Sequence, residues 1–222
     1  MNQQSRIQKA YKLSGKIYND VLTQSKWWSR LYVRFFWQGV SDTDIAEYLL
    51  GKIPDDFSGR LLDAPAGTAV FTAKKYARMS AADIYCLDYS PDMLEQAKEL
   101  FRKYNISGIK LYQGDIGKLP FEQEYFDIIL SMNGFPAFAD KEKAYEECLR
   151  VLKPGGKFLG CFYVRGICRR TDFAVKHILV KKGWFTPPFE TLDSLYRRLS
   201  CGYRNICLEN RGPMALFSCI KK

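Results

Sequence analysis

The stretch LLDAPAGTAVF, residues 61–71, starts as an apolar strand, ends that strand at Asp63 and continues as a turn of small residues. A strand, a small-residue turn and a helix in this order form the usual cradle for a nucleotide-like cofactor. A dinucleotide-binding turn, however, carries glycines where this one has Pro65 and Ala69. The stretch therefore predicts a cofactor site, and its departures bear on which cofactor the site takes.

Strand and helix patterns alternate from residue 60 onward, which predicts an α/β protein with a mostly parallel sheet covered by helices on both faces. The predicted strands are Arg60–Asp63, DIYCLD (83–88), IKLYQGD (109–115), YFDIILSM (125–132), KFLGCFYV (157–164), YRNICLEN (203–210) and PMALFSCI (213–220). The predicted helices are Thr68–Arg78, SPDMLEQAKELFRKY (90–104), KEKAYEECLRVL (141–152), Arg169–Lys182 and TLDSLYRRLSCG (191–202). The turn signal NRGP predicts that the last two strands form an antiparallel hairpin. We therefore expect a Rossmann-like, doubly wound, seven-stranded sheet.

Helical patterns also fill the first 55 residues, which predicts an N-terminal helical cap at 1–55 ahead of a single cofactor-binding domain at 56–222. The stretch SDTDIAEYLLGKI begins with a helix-capping pattern at Ser41 and Asp44. Before it, KWWSRLYVRFFW (26–37) combines aromatic and basic residues in a way that suits a membrane or RNA. Its spacing also describes one core-facing side of a helix, and we favour that interpretation.

Composition limits the classes of function. A chain of 222 residues that is 47% hydrophobic suffices for one well-buried α/β domain. Charge interrupts each apolar run before the about 18 residues of a membrane span, so we expect no signal peptide and no transmembrane helix. The 7 cysteines lack C-x-x-C spacing and His177 is the single histidine. This argues against a metal site or a His-based triad. Several of the cysteines lie in apolar strand-like runs, which favours buried, reduced thiols and a cytoplasmic protein.

The basic excess is concentrated in the last third of the chain. The net charge is +10, and residues 161–222 hold 12 Lys and Arg against 4 Asp and Glu. Such a field favours an anionic substrate, a membrane surface or nucleic acid, and it also serves plain solubility. Composition alone leaves these alternatives open.

Carboxylates follow three of the predicted parallel strands: Asp63, Asp88 and Asp115. Because ligands of such sheets bind at the carboxyl ends of the strands, the three side chains should surround one site. The pyrophosphate of a dinucleotide needs free backbone N–H groups without a carboxylate beside them. Asp63 would repel it, and Pro65 removes one donor.

S-adenosylmethionine suits the same residues better, because it has no phosphate and carries an ammonium and a cationic sulfonium. Asp88 is placed to accept hydrogen bonds from both ribose hydroxyls, and Asp63 to attract the ammonium. Gly67 has no side chain, so the ligand can approach its backbone closely. This cofactor has no pyrophosphate for the turn to enclose, so the turn does not need glycine at positions 65 and 69.

Five motifs occur in the order and spacing of one known family: LLDAPAGTA, IYCLDYSPDML, LYQGDIGKLPF, FDIILSMNGF and CLRVLKPGGKFLG. With them the sequence, over roughly residues 55–222, resembles the class I S-adenosylmethionine-dependent methyltransferases, in particular the small-molecule branch. The family usually has glycine at positions 65 and 69, where this chain has Pro65 and Ala69. The resemblance implies S-adenosyl-L-methionine as cofactor and S-adenosyl-L-homocysteine as product.

The resemblance also implies roles for individual residues. Residues 63–67 would hold the methionine end, Tyr89 and Met93 would flank adenine, and Asp115 would accept the exocyclic amine. The Ile116 backbone N–H would meet a ring nitrogen, while tyrosines of the leading helix would close over the cofactor. The implied cofactor-binding residues are Tyr11, Tyr18, Asp63, Ala64, Pro65, Ala66, Gly67, Asp88, Tyr89, Met93, Gly114, Asp115, Ile116, Ser131, Met132 and Asn133.

Methyl transfer from a sulfonium is an in-line displacement, so alignment and desolvation of the acceptor can supply most of the catalysis and a base is optional. Where a base helps, His177 or Tyr163 is the candidate. We expect substrate contacts from the helical N-terminus, from Phe135–Phe138 and from the segment after the fifth strand. Their aromatic and basic residues favour a small aromatic, apolar or anionic acceptor, and the basic helix of residues 169–182 could also rest on anionic lipid. A nucleic-acid methyltransferase and a non-catalytic nucleotide-binding protein remain alternatives. We expect a monomer or homodimer without a metal.

Overall fold

A computed structural model describes residues 37–222 of the protein. The predicted cofactor-closing residues Tyr11 and Tyr18, the aromatic stretch up to residue 36 and most of the predicted cap lie outside these described residues. The division into a cap at 1–55 and a domain at 56–222 stays a prediction.

Seven strands form one sheet in the order β3-β2-β1-β4-β5-β7-β6. Their bounds are β1 Arg60–Asp63, β2 Asp83–Asp88, β3 Lys110–Gln113, β4 Phe126–Met132, β5 Leu152–Tyr163, β6 Tyr203–Arg211 and β7 Met214–Lys221. The first five strands are mutually parallel, and β7 runs antiparallel to both β5 and β6. The predicted sheet and its C-terminal hairpin are confirmed. Because the strand order reverses between β1 and β4, a crevice opens at their carboxyl ends.

Within residues 37–222, six helical elements accompany the strands. They are α1 Asp42–Leu50, α2 Ala73–Tyr76, α3 Pro91–Lys103, α4 Lys141–Val151, α5 Arg169–Ala174, which continues as a π-helical turn Val175–Leu179, and α6 Leu192–Gly202. Side chains cap most of their N-termini: Ser41 accepts from the Asp44 N–H, and Ser90 accepts from the Met93 N–H at the start of α3. Such caps satisfy backbone donors that have no partner inside the helix, and they fix where each helix begins.

Alternating strand residues build two apolar layers, one on each face of the sheet. Leu62 of β1 faces the layer that contains α4 and α6, whereas its neighbour Leu61 faces α1, α2 and α3. A third cluster extends the second layer over β5 and β7, where α1 and the π-helical turn pack against Cys161, Tyr163 and Met214. The sheet is therefore covered on both faces, and the ends of its strands are left for the site.

The helix after β1 is much shorter than predicted. The sequence predicts Thr68–Arg78, whereas the structure has a helix only at Ala73–Tyr76. Gly67 and Ala69 both have left-handed backbone angles, with φ of 55° and 56°. Because a right-handed helix cannot pass through such residues, the chain makes turns up to residue 72.

The strand after α4 begins earlier than predicted. Leu152 has extended backbone angles and already pairs with Phe126, while the predicted strand starts at Lys157. The KPGG stretch between them is accommodated by a shift in the register with β4. Pro154 favours the extended conformation of the residue before it, which explains why the strand direction is established at once.

Candidate functional site

A cavity lies at the carboxyl ends of β1, β2 and β4, where the strand order reverses. Its walls come from the turn after β1, the end of β2, the loop after β3 and the loop after β4. The lining residues are Asp63, Pro65, Ala66, Gly67, Thr68, Ala69, Val70, Phe71, Thr72, Leu87, Asp88, Tyr89, Ser90, Met93, Gly114, Asp115, Ile116, Met132, Asn133, Gly134, Ala137, Phe138 and Ala139. The structure thus brings together twelve of the residues predicted to bind the cofactor: Asp63, Pro65, Ala66, Gly67, Asp88, Tyr89, Met93, Gly114, Asp115, Ile116, Met132 and Asn133.

The turn after β1 is fastened to β2. The Ala66 N–H donates to the Leu87 carbonyl (2.9 Å), and the Gly67 N–H donates to Oδ2 of Asp88 (2.8 Å). A Cβ on Gly67 would meet no atom within 4 Å, so this backbone faces open space. The turn therefore offers a ligand a close approach to its main chain, as only a residue without a side chain does.

Asp88 is nearly buried at the end of β2, with 8% of its surface exposed. Its Oδ1 accepts the Ser90 N–H and its Oδ2 accepts the Gly67 N–H, each at 2.8 Å. Burial raises the pKa of this carboxyl, and the backbone hydrogen bonds oppose that shift. The Tyr89 backbone N–H also interacts with this carboxyl. A carboxylate has about four acceptor positions, so Asp88 retains capacity for a ligand hydroxyl.

Asp63 is more deeply buried, and the Tyr76 hydroxyl donates to its Oδ2 at 2.8 Å. Burial raises the pKa of Asp63 to about 7, and the neighbouring Asp88 carboxylate adds to the increase. The hydrogen bond from Tyr76 acts in the opposite direction. Removing water from a carboxylate destabilises its charged form, so a cation placed beside Asp63 would restore ionisation.

The third acidic residue lies in the loop after β3, where Oδ1 of Asp115 accepts the Gly117 N–H at 2.8 Å. Next to it, Ile116 is 5% exposed and Met93 of α3 is also 5% exposed, so both offer apolar surface to the cavity. Tyr89 is 38% exposed at the rim. Apolar side chains together with a carboxylate in one cavity suit the heterocycle of a nucleoside, which has apolar faces and a polar edge.

The loop after β4 forms the opposite wall. Asn133 has a left-handed backbone, its N–H donates to the Cys161 carbonyl (2.7 Å), and its side-chain Nδ2 donates to Oδ1 of Asp42 (3.1 Å). Burial raises the pKa of Asp42 to about 6. A Cβ on Gly134 would lie 2.2 Å from Cδ of Pro65 and 2.5 Å from Cζ of Phe138. The absence of a side chain at position 134 therefore lets the two cavity loops meet.

Four predicted site residues do not line the cavity. Ala64 directly follows β1 and Ser131 lies within β4, and both are fully buried. The Tyr163 hydroxyl donates to Oδ1 of Asp172 (2.7 Å), and burial raises the pKa of Tyr163. His177 is exposed on the π-helical turn, with its ring 4.5 Å from that of Phe173. Neither candidate base is therefore brought to the cavity.

Several cavity residues were not among the predicted cofactor-binding residues, chiefly Phe71, Ala137, Phe138 and Ala139. Phe138 belongs to the segment 135–138 that the aromatic content marks as a substrate contact, but nothing in the pattern places it against the turn after β1. Phe71 comes from the stretch that was predicted to be helical. Both aromatic rings add apolar surface close to the carboxylates.

The electrostatic character of the cavity is acidic. Three carboxylates line it, and none of its lining residues in the described part of the chain is Lys, Arg or His.

Within residues 37–222, no group of three or more His, Cys, Asp or Glu is arranged to hold a metal ion. Over the same residues, no helix is both long and apolar enough to cross a membrane. All 7 cysteines are free, five of them buried.

Comparison with known proteins gives a consistent result. The model of a family described as "Methyltransferase domain" matches residues 62–160. The chain is 36% identical over 175 residues to the ubiquinone/menaquinone biosynthesis C-methyltransferase UbiE of Yersinia enterocolitica, covering 68% of each protein. It is 36% identical over 103 residues to the protein of the same name from Proteus mirabilis, of which it covers only 41%. The chain thus spans about two fifths of the length of that relative.

A solved structure agrees with the fold. A Thermotoga maritima S-adenosylmethionine-dependent methyltransferase superposes with a TM-score of 0.70 at 16% identity, covering 97% of this chain and 100% of that one. At this level of identity the similarity concerns the fold, while the sequence matches concern the family.

Proposed function

The chain belongs to the S-adenosylmethionine-dependent methyltransferases, and from that premise we propose that it transfers a methyl group to a small acceptor that is aromatic, apolar or anionic. The observation that carries the proposal is the acidic cavity at the carboxyl ends of β1, β2 and β4. An acidic cavity favours a cationic ligand and repels a phosphate-bearing one. S-adenosylmethionine is the cofactor of the family and carries two cationic groups.

The donors and acceptors of the cavity fit that cofactor. Asp88 retains acceptor capacity beyond its backbone donors, which suits a ribose hydroxyl. Asp63 lies at the end of the neighbouring strand, where its carboxylate would hold the ammonium of the methionine end. The open space at Gly67 allows the ligand to lie against the backbone between them.

The remaining contacts follow from position. Tyr89 and Met93 would enclose the adenine ring, and Asp115 would accept its amine, with the Ile116 N–H nearby. Met132 and Asn133 would form the floor below the sulfonium. Asn133 is oriented for this role by its hydrogen bonds to Cys161 and Asp42. Together, these contacts would fix the orientation of the cofactor in the cavity.

When bound, S-adenosylmethionine supplies an activated methyl carbon for an in-line displacement. The protein then has to hold the acceptor in line with that carbon and to exclude water, and effective molarities from such positioning can be very large. The residues suited to this are Phe71 and Phe138 with Met132, which add apolar surface near the carboxylates. We propose that no side chain of the described region is required as a base.

We further propose that the methylated atom is a carbon of a flat aromatic ring. Two observations support this: the relatives are named C-methyltransferases of ubiquinone and menaquinone biosynthesis, and aromatic side chains line the cavity. Aromatic walls stack on flat rings, whereas a neutral sugar would gain little from them. Location, oligomeric state and the identity of the acceptor stay predictions.

The test is a transfer assay with methyl-labelled S-adenosylmethionine and a panel of phenols, hydroquinones, small amines and RNA. We expect label in an organic-extractable product whose new methyl group lies on carbon in the NMR spectrum. Label in RNA alone would contradict the proposed acceptor class. Binding of the cofactor with no transfer to any acceptor in the panel or in a cell extract would favour the non-catalytic alternative.

The pKa of Asp63 predicts that cofactor affinity depends on pH. A cation beside Asp63 binds the ionised carboxylate, so protons compete with it below a pKa of about 7. We expect the dissociation constant to rise up to about eightfold between pH 7.5 and pH 6 and to level off above pH 7.5. Calorimetric titrations across this range measure it. The variant Asp63→Asn should bind more weakly and lose the pH dependence, whereas an unchanged slope would assign the titration to another group.

The raised pKa of Asp63 also makes the stability of the ligand-free protein depend on pH, and here a higher pH is unfavourable. Because the folded-state pKa of Asp63 lies above the unfolded value, the folded state holds more protons between about pH 4 and pH 7. Stability contributed by this group is therefore present at low pH and lost as pH rises through 7. We expect Asp63→Asn to raise the melting temperature at pH 8 while it weakens cofactor binding.

The positions of His177 and Tyr163 predict that neither acts as the base. We expect His177→Ala and Tyr163→Phe to retain kcat within about twofold, because general acid–base catalysis would be worth about 100-fold or more. Tyr163→Phe should lower stability by about 1 kcal/mol through loss of the hydrogen bond to Asp172. Initial rates with a saturating acceptor measure kcat. A loss of two orders of magnitude in either variant would restore it as a catalytic residue.

A further inference from the structure

The helical segment of residues 169–179 has two different faces. Thr171, Ala174, Val175 and Leu179 are buried, and the last two pack against α1, β5 and β7. The opposite face carries a side chain that is 60% exposed, Phe173. We use the name basic face for the exposed basic and large apolar residues between positions 165 and 182. They are Arg165, Ile167, Arg169, Arg170, Phe173, Lys176, Lys181 and Lys182.

Charge on the basic face has one sign. Six of its residues are Lys or Arg, and Asp172 is the one acidic residue between positions 165 and 182. The carboxylate of Asp172 is engaged by the Tyr163 hydroxyl (2.7 Å) and the Gly166 N–H (3.1 Å). The six basic residues outnumber this one acid, so the segment carries a net positive charge that attracts an anionic partner.

Two large apolar side chains are exposed among these charges. Phe173 is 60% exposed and Ile167 is 39% exposed. An isolated apolar residue on a surface is ordinary, but two within a polybasic surface match the combination that binds bilayers, where basic groups meet lipid headgroups and apolar groups insert. The phosphates of a nucleic acid would interact with the basic groups, but its solvated backbone would gain nothing from contact with Ile167.

The segment after the basic face is attached to the cavity. The Thr186 N–H donates to the Pro136 carbonyl (2.7 Å), and the Lys141 ammonium donates to the Thr186 carbonyl (2.6 Å). Pro136 is followed by three cavity-lining residues, Ala137, Phe138 and Ala139. The chain that follows the basic face is therefore hydrogen-bonded to the loop that forms one wall of the site.

We propose that the basic face docks the protein on the surface of an anionic bilayer. The charge of the face selects anionic headgroups, and Phe173 and Ile167 enter the headgroup region. This goes beyond the proposed function and does not rest on it, because docking depends on residues outside the cavity. It would place the cavity wall near a reservoir of lipid-soluble acceptors.

Co-sedimentation of the full chain with phosphatidylcholine vesicles, with and without phosphatidylglycerol, tests the proposal. We expect binding to the anionic vesicles that weakens with added salt. Each basic group near such a surface is worth about fivefold in binding, so the double variant Lys176→Glu, Lys181→Glu should bind at least about 25-fold more weakly. Phe173→Ser should bind about tenfold more weakly.

The matched control lies on α6, which covers the other face of the sheet. Tyr196 is 52% exposed and Arg197 is exposed beside it, so the double variant Tyr196→Ser, Arg197→Glu repeats the chemistry elsewhere. We expect it to bind vesicles within about twofold of the unchanged protein. Equal losses in the control and the test variants would overturn the proposal, and so would absence of binding to anionic vesicles at low salt.

Nucleic acid is the competing anionic partner. Binding of a single-stranded RNA oligomer more tightly than anionic vesicles, with Phe173→Ser unaffected in both, would replace the bilayer with RNA. Calorimetric titration of each variant with S-adenosylmethionine separates the two proposals. We expect normal cofactor affinity in all of them, which also shows that the variants are folded.

Discussion

Asp88→Ala should weaken binding of S-adenosylmethionine by at least about tenfold and should leave the protein folded. Hydrogen bonds to a charged acceptor contribute about 1.5–3 kcal/mol each, and about 1.4 kcal/mol corresponds to a factor of ten in affinity. The variant removes the acceptor proposed for the ribose and frees the Gly67 N–H, which fixes the turn after β1. Calorimetric titration at pH 7.5 measures the loss.

Two companion variants make this result specific. Asp92→Ala removes an exposed carboxylate from the first turn of α3, four residues away, and should change affinity by less than about twofold. Asp88→Asn keeps one acceptor oxygen and should fall between the alanine variant and the unchanged protein. If Asp88→Ala binds as tightly as Asp92→Ala, the assignment of the ribose site to the end of β2 is wrong.

Gly134→Ala should lower both stability and cofactor affinity, although it adds a single methyl group. Its Cβ would lie 2.2 Å from Pro65 and 2.5 Å from Phe138, so at least one cavity loop has to move. Overpacking of this kind costs about 1–3 kcal/mol. Because Pro65 belongs to the turn that carries Asp63 and Gly67, we expect displacement of this turn to reduce affinity as well. Urea unfolding and calorimetric titration measure the two effects.

Gly117→Ala is the control for that variant. A Cβ at position 117 would lie 3.4 Å from Oδ1 of Asp115 and 3.4 Å from Cβ of Lys143, distances close to ordinary van der Waals contact. We expect its free energy of unfolding to change by less than about 0.5 kcal/mol. Equal stability and affinity in Gly134→Ala and the unchanged protein would show that the loops after β1 and β4 do not meet as described.

The sequence was sufficient for the sheet and for the acidic part of the site. Strand patterns of alternating burial and the positions of Asp63, Asp88 and Asp115 are local properties of the chain. Topology then requires that the carboxyl ends of neighbouring parallel strands lie together, so three separate residues become one prediction. The structure confirms the mostly parallel seven-stranded sheet with its C-terminal hairpin and places all three residues in the cavity walls.

The turn after β1 shows where local patterns fail. Residues 68–78 are mostly good helix formers, and nothing in the spacing indicates that Ala69 takes a left-handed backbone. That conformation costs an alanine about 1–2 kcal/mol and persists because the surrounding structure fixes it. The family preference for glycine at position 69 is the signal that points to it, since glycine adopts this conformation without penalty.

Contacts between distant parts of the chain were also beyond reach. Asn133 and Asp42 are 91 positions apart, and their hydrogen bond depends on how α1 packs beside β5. The same holds for Gly134 against Pro65, which joins loops after two different strands. The prediction that His177 or Tyr163 lies at the site is wrong for a related reason. Residue type suggested these two side chains, but only the packing of the chain determines which side chains reach the cavity.

The acidic cavity as a site for a cationic nucleoside is tested most directly by titrating the unchanged protein with S-adenosylmethionine and, separately, with NAD in the same calorimeter and buffer. We expect saturable one-site binding of S-adenosylmethionine, which Asp88→Ala weakens, and no measurable heat with NAD. Tight binding of NAD with no binding of S-adenosylmethionine would contradict the account.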